Sequence, residues 1–206
     1  MWWRVKRRVR RLLGWGWSAD EFLRRYRRGK ADAWGYLGNA DHNMRAERIL
    51  AALPDWPVPQ LLELGCAEGF LTRRFLERGI AVTACDLSSE AVERARVWCG
   101  DNSRAQFVVG DIRQQLPEGS FDVCLLSDVL YYLSPAEIRQ LSANLTTRMN
   151  PRRRLIFANE WNPNYRDLTS PEDALTALLS AGPWTCLQQD TIATPGSHSH
   201  FLAILE

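Results

Sequence analysis

The segment Leu61-Leu-Glu-Leu-Gly-Cys-Ala-Glu-Gly69 constrains this 206-residue chain more than any other. An apolar run enters a glycine-rich turn, a helical pattern follows through Leu71 and Thr72, and a second apolar run from Ile80 to Cys85 stops at Asp86. About one βα unit separates the turn from the acid. In an open parallel sheet both lie at the carboxyl edge of the strands, where such sheets bind ligands.

The spacing of the glycines narrows the ligand. A dinucleotide fingerprint, Gly-x-Gly-x-x-Gly, seats a pyrophosphate on a helix N-terminus. Here the spacing is Gly65-x-x-x-Gly69, and Glu63 stands two residues before the first glycine. An acid at that point repels a pyrophosphate but suits a cation with an amino-acid tail. The pattern therefore favours a sulfonium nucleoside such as S-adenosylmethionine over a nicotinamide. On this reading Gly65, Cys66, Ala67 and Gly69 form the binding loop, and Gly65 lets the main chain approach where a Cβ would collide. Asp86, with Leu87 beside it, receives both ribose hydroxyls. Simple packing is the alternative for the glycine pair. Two further predicted strands end in acids: residues 105–110 lead to Asp111 and Ile112, expected at the adenine amino group and ring face, and residues 121–127 lead to Ser127 and Asp128. For either acid the alternative is a cap on the next helix.

The order of elements over residues 58–206, with Glu63, Gly65, Gly69, Asp86, Asp111 and the Phe121-Asp122 strand, resembles the class I S-adenosylmethionine-dependent methyltransferases. The resemblance implies a Rossmann-like α/β fold with a seven-stranded, mostly parallel sheet of order 3-2-1-4-5-7-6 and helices on both faces. It also implies N-terminal lid helices over residues 19–57, which bring Trp34 or Tyr36 over the sulfonium and Arg45 toward the cofactor carboxylate. Packing for the aromatics and a solvated arginine are the alternatives. A narrower resemblance, to the nodulation protein S group of small N-methyltransferases, rests on four stretches. These are Asp32-Ala-Trp34-Gly-Tyr36, Ile49-Leu-Ala-Ala-Leu-Pro54, Leu64-Gly-Cys-x-x-Gly69-x-Leu-Thr72 and Leu126-Ser-Asp-Val-Leu-Tyr-Tyr-Leu133. It implies an amine nitrogen of a small molecule as acceptor. The chain departs from that group at Ala33, where proline is usual, and in a basic extension upstream.

Methyl transfer from a sulfonium is an in-line displacement in which the protein mostly supplies position. An amine must arrive uncharged, whereas a hydroxyl calls for a general base or a metal. Tyr131 and Tyr132, after the fourth strand, are the expected acceptor-side groups, with Tyr132 orienting an amine or facing the sulfonium with its ring. One of the two is expected to serve only the core. Residues 160–165 also lie in reach of this end, and His198 or His200 is a candidate base for an oxygen acceptor, with an incidental loop histidine as the alternative. O-methylation of a free or carrier-bound substrate, and a non-catalytic cofactor-binding accessory role, remain the rival readings.

Charge divides the chain unevenly. The first 30 residues carry 11 Lys/Arg against Asp20 and Glu21, while the remainder carries 15 Arg against 22 acids. Residues 1–18 form a basic arm in which Trp2, Val5, Val9, Leu12 and Leu13 share a helical face. Such an arm docks on an anionic membrane surface or an acidic carrier protein, or is a poorly ordered terminus. Nucleic acid is not expected as a partner. Residues 19–206 read as one methyltransferase domain. Five scattered cysteines without Cys-x-x-Cys spacing argue against a metal and for a reducing, cytoplasmic setting.

Overall fold

The computed structural model describes residues 19–28, 32–161, 168–193 and 198–206. The basic arm, most of the 160–165 segment and the turn over 194–197 lie outside those residues. The elements are α1 (Ala19–Arg28), α2 (Ala40–Ala51), β1 (Gln60–Leu64), α3 (Phe70–Glu77), β2 (Ala81–Asp86), α4 (Ser89–Cys99), β3 (Ala105–Val109) and β4 (Phe121–Ser127). A 3-10 turn (Leu130–Tyr132), α5 (Pro135–Thr146), β5 (Met149–Trp161), α6 (Pro171–Leu179), β6 (Cys186–Ala193) and β7 (Ser199–Leu205) complete them.

Strand order is β3-β2-β1-β4-β5-β7-β6, as the resemblance implies. All pairs are parallel except the two made by β7. β4 is buried along its whole length, which is why it reads as a nearly continuous apolar run. One face of the sheet packs Ile138, Leu141 and Leu145 of α5 and Leu175 and Leu178 of α6. The other packs Ala46, Ile49 and Leu50 of α2 and Leu71, Phe75 and Leu76 of α3.

Helix starts follow local chemistry. Ser88 caps α4 at the amide of Ala91, Ser170 caps α6 at Asp173, and Ser134 and Glu137 close a reciprocal capping box with Pro135 at the first turn. Asn39 accepts from the amides of Asp41 and His42, so α2 begins before the expected His42. A second expectation needs correction. Residues 134–149 read as one helix ended by Pro151, but the helix stops at Thr146 and Pro151 lies inside β5. The register jumps from Phe121↔Met149 to Val123↔Arg154, and the proline sits in that irregularity, where a missing amide breaks no ladder.

Candidate active site

The glycine loop sits at the carboxyl ends of β1 and β2. The amides of Gly65 and Cys66 both donate to the carbonyl of Cys85, at 2.8 and 3.0 Å, pinning the loop to β2. Gly65 and Gly69 have φ of 84° and 83°, and Ala67 takes φ 49° despite its Cβ, a conformation that costs about 1–2 kcal/mol in an L-residue. The Asp86 carboxylate holds it there by accepting the Ala67 amide at 2.9 Å. A Cβ on Gly69 would stand 3.0 Å from that of Ala95, so this glycine is required by packing of the loop on α4; one on Gly65 would meet Val129 at 3.3 Å.

Asp86 is 3% exposed and also accepts the amide of Ser88 at 2.9 Å. Burial pushes its carboxyl up to about 6 against the pull of the Ser88, Ala67 and Leu87 amides. The carboxylate thus holds the loop, and the second lone pair on each oxygen remains for the expected ribose hydroxyls. Glu63, 1% exposed, accepts the Thr72 hydroxyl at 2.6 Å. Burial pushes it up to about 8, the Thr72 bond opposes this, and the nearby Asp86 charge adds to it.

A pocket with about 360 Å³ of empty volume, its open mouth included, lies between this loop and α2. Tyr36, His42, Arg45, Glu63, Gly65, Cys66, Ala67, Phe70 and Ser127 are in its wall. His42, Arg45, Ala46 and Ile49 lie at i, i+3, i+4 and i+7, so α2 turns one stripe into the pocket. Sequence reading found only Arg45 among them, although the spacing held the signal. Arg45 is not the solvated arginine weighed as an alternative. It is buried, ion-paired with Asp128, and donates to the Ser127 hydroxyl at 2.6 Å. Burial opposes its charge, but Asp128, Tyr36, Tyr131 and Glu160 together outweigh burial and hold the guanidinium protonated.

Of the two lid aromatics, Tyr36 and not Trp34 lines the pocket. Asp32, at φ 67°, accepts the amides of Tyr36 and Leu37 and folds the turn that directs Tyr36 inward, where it stacks on Phe70 with ring centroids 5.3 Å apart. Trp34 instead donates to the Tyr26 hydroxyl at 2.7 Å and lies under the Arg25 guanidinium. Tyr26 is fully buried against Ala67 and Ala91, so α1 covers the loop next to Asp86. Glu68 fastens this cover. It accepts the Ala33 amide and pairs with Arg94, which also donates to the Tyr26 carbonyl. Sequence reading missed Tyr26, Glu68 and Arg94, whose pairing spans up to 68 residues of chain.

Asp128, at φ 54°, accepts the Glu160 amide at 2.7 Å. Tyr131 and Tyr132 meet edge to face, centroids 4.3 Å apart, and Tyr132 packs against the core while burial raises the Tyr131 phenol. His198 stands 3.6 Å from Glu160. The adenine-side expectations fare differently. Asp111 accepts three hydrogen bonds from the Arg113 side chain, at 2.6 to 3.1 Å, and Ile112 is taken into the core beside Leu116. Leu87 is half-buried. The described residues hold no group of three His, Cys, Asp or Glu placed for a metal ion, and no helix among them is long and apolar enough to cross a membrane.

Glu63, kept protonated by burial, and the Arg45 cation face one pocket, and the buried Nε of Arg45 has no hydrogen-bond partner. That arrangement fits the ammonium and carboxylate of an amino-acid tail, with the glycine loop beside it for the nucleoside.

Comparisons with known proteins agree. Residues 61–152 match the family model described as a methyltransferase domain. The nodulation protein S of Rhizobium tropici is 32% identical over 135 residues, 65% of this chain and 57% of that protein. A malonyl-[acyl-carrier protein] O-methyltransferase of Serratia marcescens is 36% identical over 98 residues, 46% of this chain and 37% of the relative. The N-methyltransferase NodS from Bradyrhizobium japonicum WM9, crystallised with S-adenosyl-L-homocysteine, superposes with a TM-score of 0.78 at 23% identity. That superposition covers 89% of this chain and 96% of that one. The chain spans less than two thirds of the length of these curated relatives. Loop, pocket, sheet order and sequence likeness make the chain similar to the class I S-adenosylmethionine-dependent methyltransferases, the nodulation protein S group among them.

Proposed function

We propose that the protein transfers the methyl group of S-adenosylmethionine to an amine nitrogen of a small molecule. The observation that carries this reading is the sequence likeness to nodulation protein S over 65% of this chain, joined to the fold likeness to the N-methyltransferase NodS. Burial keeps the phenols of Tyr36 and Tyr131 in their neutral form, and a neutral phenol accepts a hydrogen bond from an amine.

In the mechanism this implies, the cofactor supplies an electrophilic methyl on sulfur. Glu63 would receive the ammonium of its tail, and Arg45, whose buried Nε has no hydrogen-bond partner, would hold its carboxylate. Asp86 holds Ala67 and lends its remaining lone pairs to the ribose. Tyr36 and Phe70 wall the pocket and exclude water, while Tyr131 and Tyr132 line the approach of the acceptor.

A second reading, methyl transfer to a carboxylate on an acidic carrier protein, draws on the basic first 30 residues and on the malonyl-carrier relative. Incubation with methyl-labelled S-adenosylmethionine decides between them. The panel holds primary amines (aminosugars, peptide N-termini, alkylamines) alongside a malonyl carrier thioester. Label on an amine is expected. Label on the malonyl carboxylate alone overturns the proposal in favour of the second reading, and label on neither overturns both.

A further inference from the structure

We propose that Glu160 seats the ammonium form of the acceptor and, with His198, takes away the proton that must leave before methyl transfer. This rests on the amine reading above. Register places the two residues. Ala158 pairs with Ser127 of the pocket wall, and alternation along β5 brings Glu160, two residues on, to the same face. Across the antiparallel pair Glu160 faces His200, and His198 precedes His200 by two on that face. The amide of Glu160 is held by Asp128, the residue that also pairs with Arg45.

Partners of the surrounding charges single out this carboxylate. Arg45 of α2 is paired with Asp128, and Arg48 of α2 with Asp190 of β6. Asp41 of α2 acts on His200, which burial and the Arg45 charge keep neutral. Glu160 has His198 at 3.6 Å, too long for a strong hydrogen bond, so its oxygens keep capacity for an N–H donor. Side-chain exposures of 28% for Glu160 and 41% for His198 leave the pair reachable from water.

The step balances as follows. An N–H bond of the ammonium breaks, its proton passes to the Glu160 carboxylate, and the electron pair stays on nitrogen. Glu160 hands the proton to His198, whose imidazolium releases it to water. Nitrogen then bonds the methyl carbon as the carbon–sulfur bond breaks with its pair on sulfur, and the product departs as a methylammonium. An amine held this way enters at neutral pH, where most of it is charged in solution.

The test compares wild type, Glu160→Gln and His198→Gln with S-adenosylmethionine and the panel amine that wild type methylates fastest, from pH 6 to 10. S-adenosylhomocysteine affinity and melting temperature check that each variant is folded. Glu160→Gln is expected to lower kcat/KM roughly 100-fold at pH 7. That deficit should shrink as pH approaches the pKa of the amine, because the amine then arrives neutral. His198→Gln should lower it by a few fold with the same trend. Unchanged activity, or a loss equal at every pH, overturns the assignment while leaving the amine reading intact. Absence of amine methylation by wild type overturns the amine reading itself, and the assignment with it.

Discussion

The proposed cofactor end of the cleft and its proposed acceptor end are built in opposite ways. The first is made largely of main chain and near neighbours: Gly65 to Gly69, Glu63 with Thr72, and Asp86 holding Ala67 across 19 residues. The second is made of side chains that meet only after folding. Arg45 reaches Ser127 over 82 residues, and Asp128 meets Glu160 over 32. A local loop binds one ligand chemistry wherever the scaffold appears, whereas an assembly from α2, β4, β5 and β7 can be changed one element at a time. Constancy of donor and variety of acceptor follow from that difference.

If the acceptor end depends on its long-range pair, breaking that pair has the larger effect on the fold. Arg45→Ala leaves the Asp128 carboxylate, 15% exposed, without its partner. It should lower stability by about 3–5 kcal/mol, read by urea unfolding. A loss under about 1 kcal/mol would mean that the ion pair does not organise this end. At the cofactor end the expected effect is smaller and falls on binding. Asp86→Ala removes the acceptor of the Ala67 and Ser88 amides together with the ribose contact. It should weaken S-adenosylhomocysteine by about 1.5–3 kcal/mol in a calorimetric titration. Equal affinity in the variant would remove Asp86 from the nucleoside site.

The same contrast explains what could be read from the sequence. The glycine loop and the acids at strand ends are written in consecutive residues, and the strand order that the resemblance implies is the one the fold has. Arg45 was singled out, but its burial was not, because only the meeting of α2 with β4 supplies Asp128 and Ser127. Tyr36 was named together with Trp34, and the turn set by Asp32 decides between them. Glu68 lay inside the motif itself and was passed over. Its role depends on Ala33 and Arg94, which no spacing within the loop reveals. The start of β5 was misplaced because Pro151 signals a helix stop in sequence and is absorbed by an irregular register in the sheet.

Calorimetry of S-adenosylhomocysteine binding, run near pH 7 in two buffers of different ionisation enthalpy, tests the cofactor pocket most directly. Glu63 in the empty pocket is pushed up to about 8 and holds its proton at pH 7. Pairing with the ligand ammonium lowers it, so binding releases a proton and tightens as pH rises from 6 toward 8, by up to about tenfold per unit. The account predicts release of close to one proton in wild type and clearly less in Glu63→Gln. Binding with no proton exchange, with proton uptake, or with the same release in Glu63→Gln would contradict it.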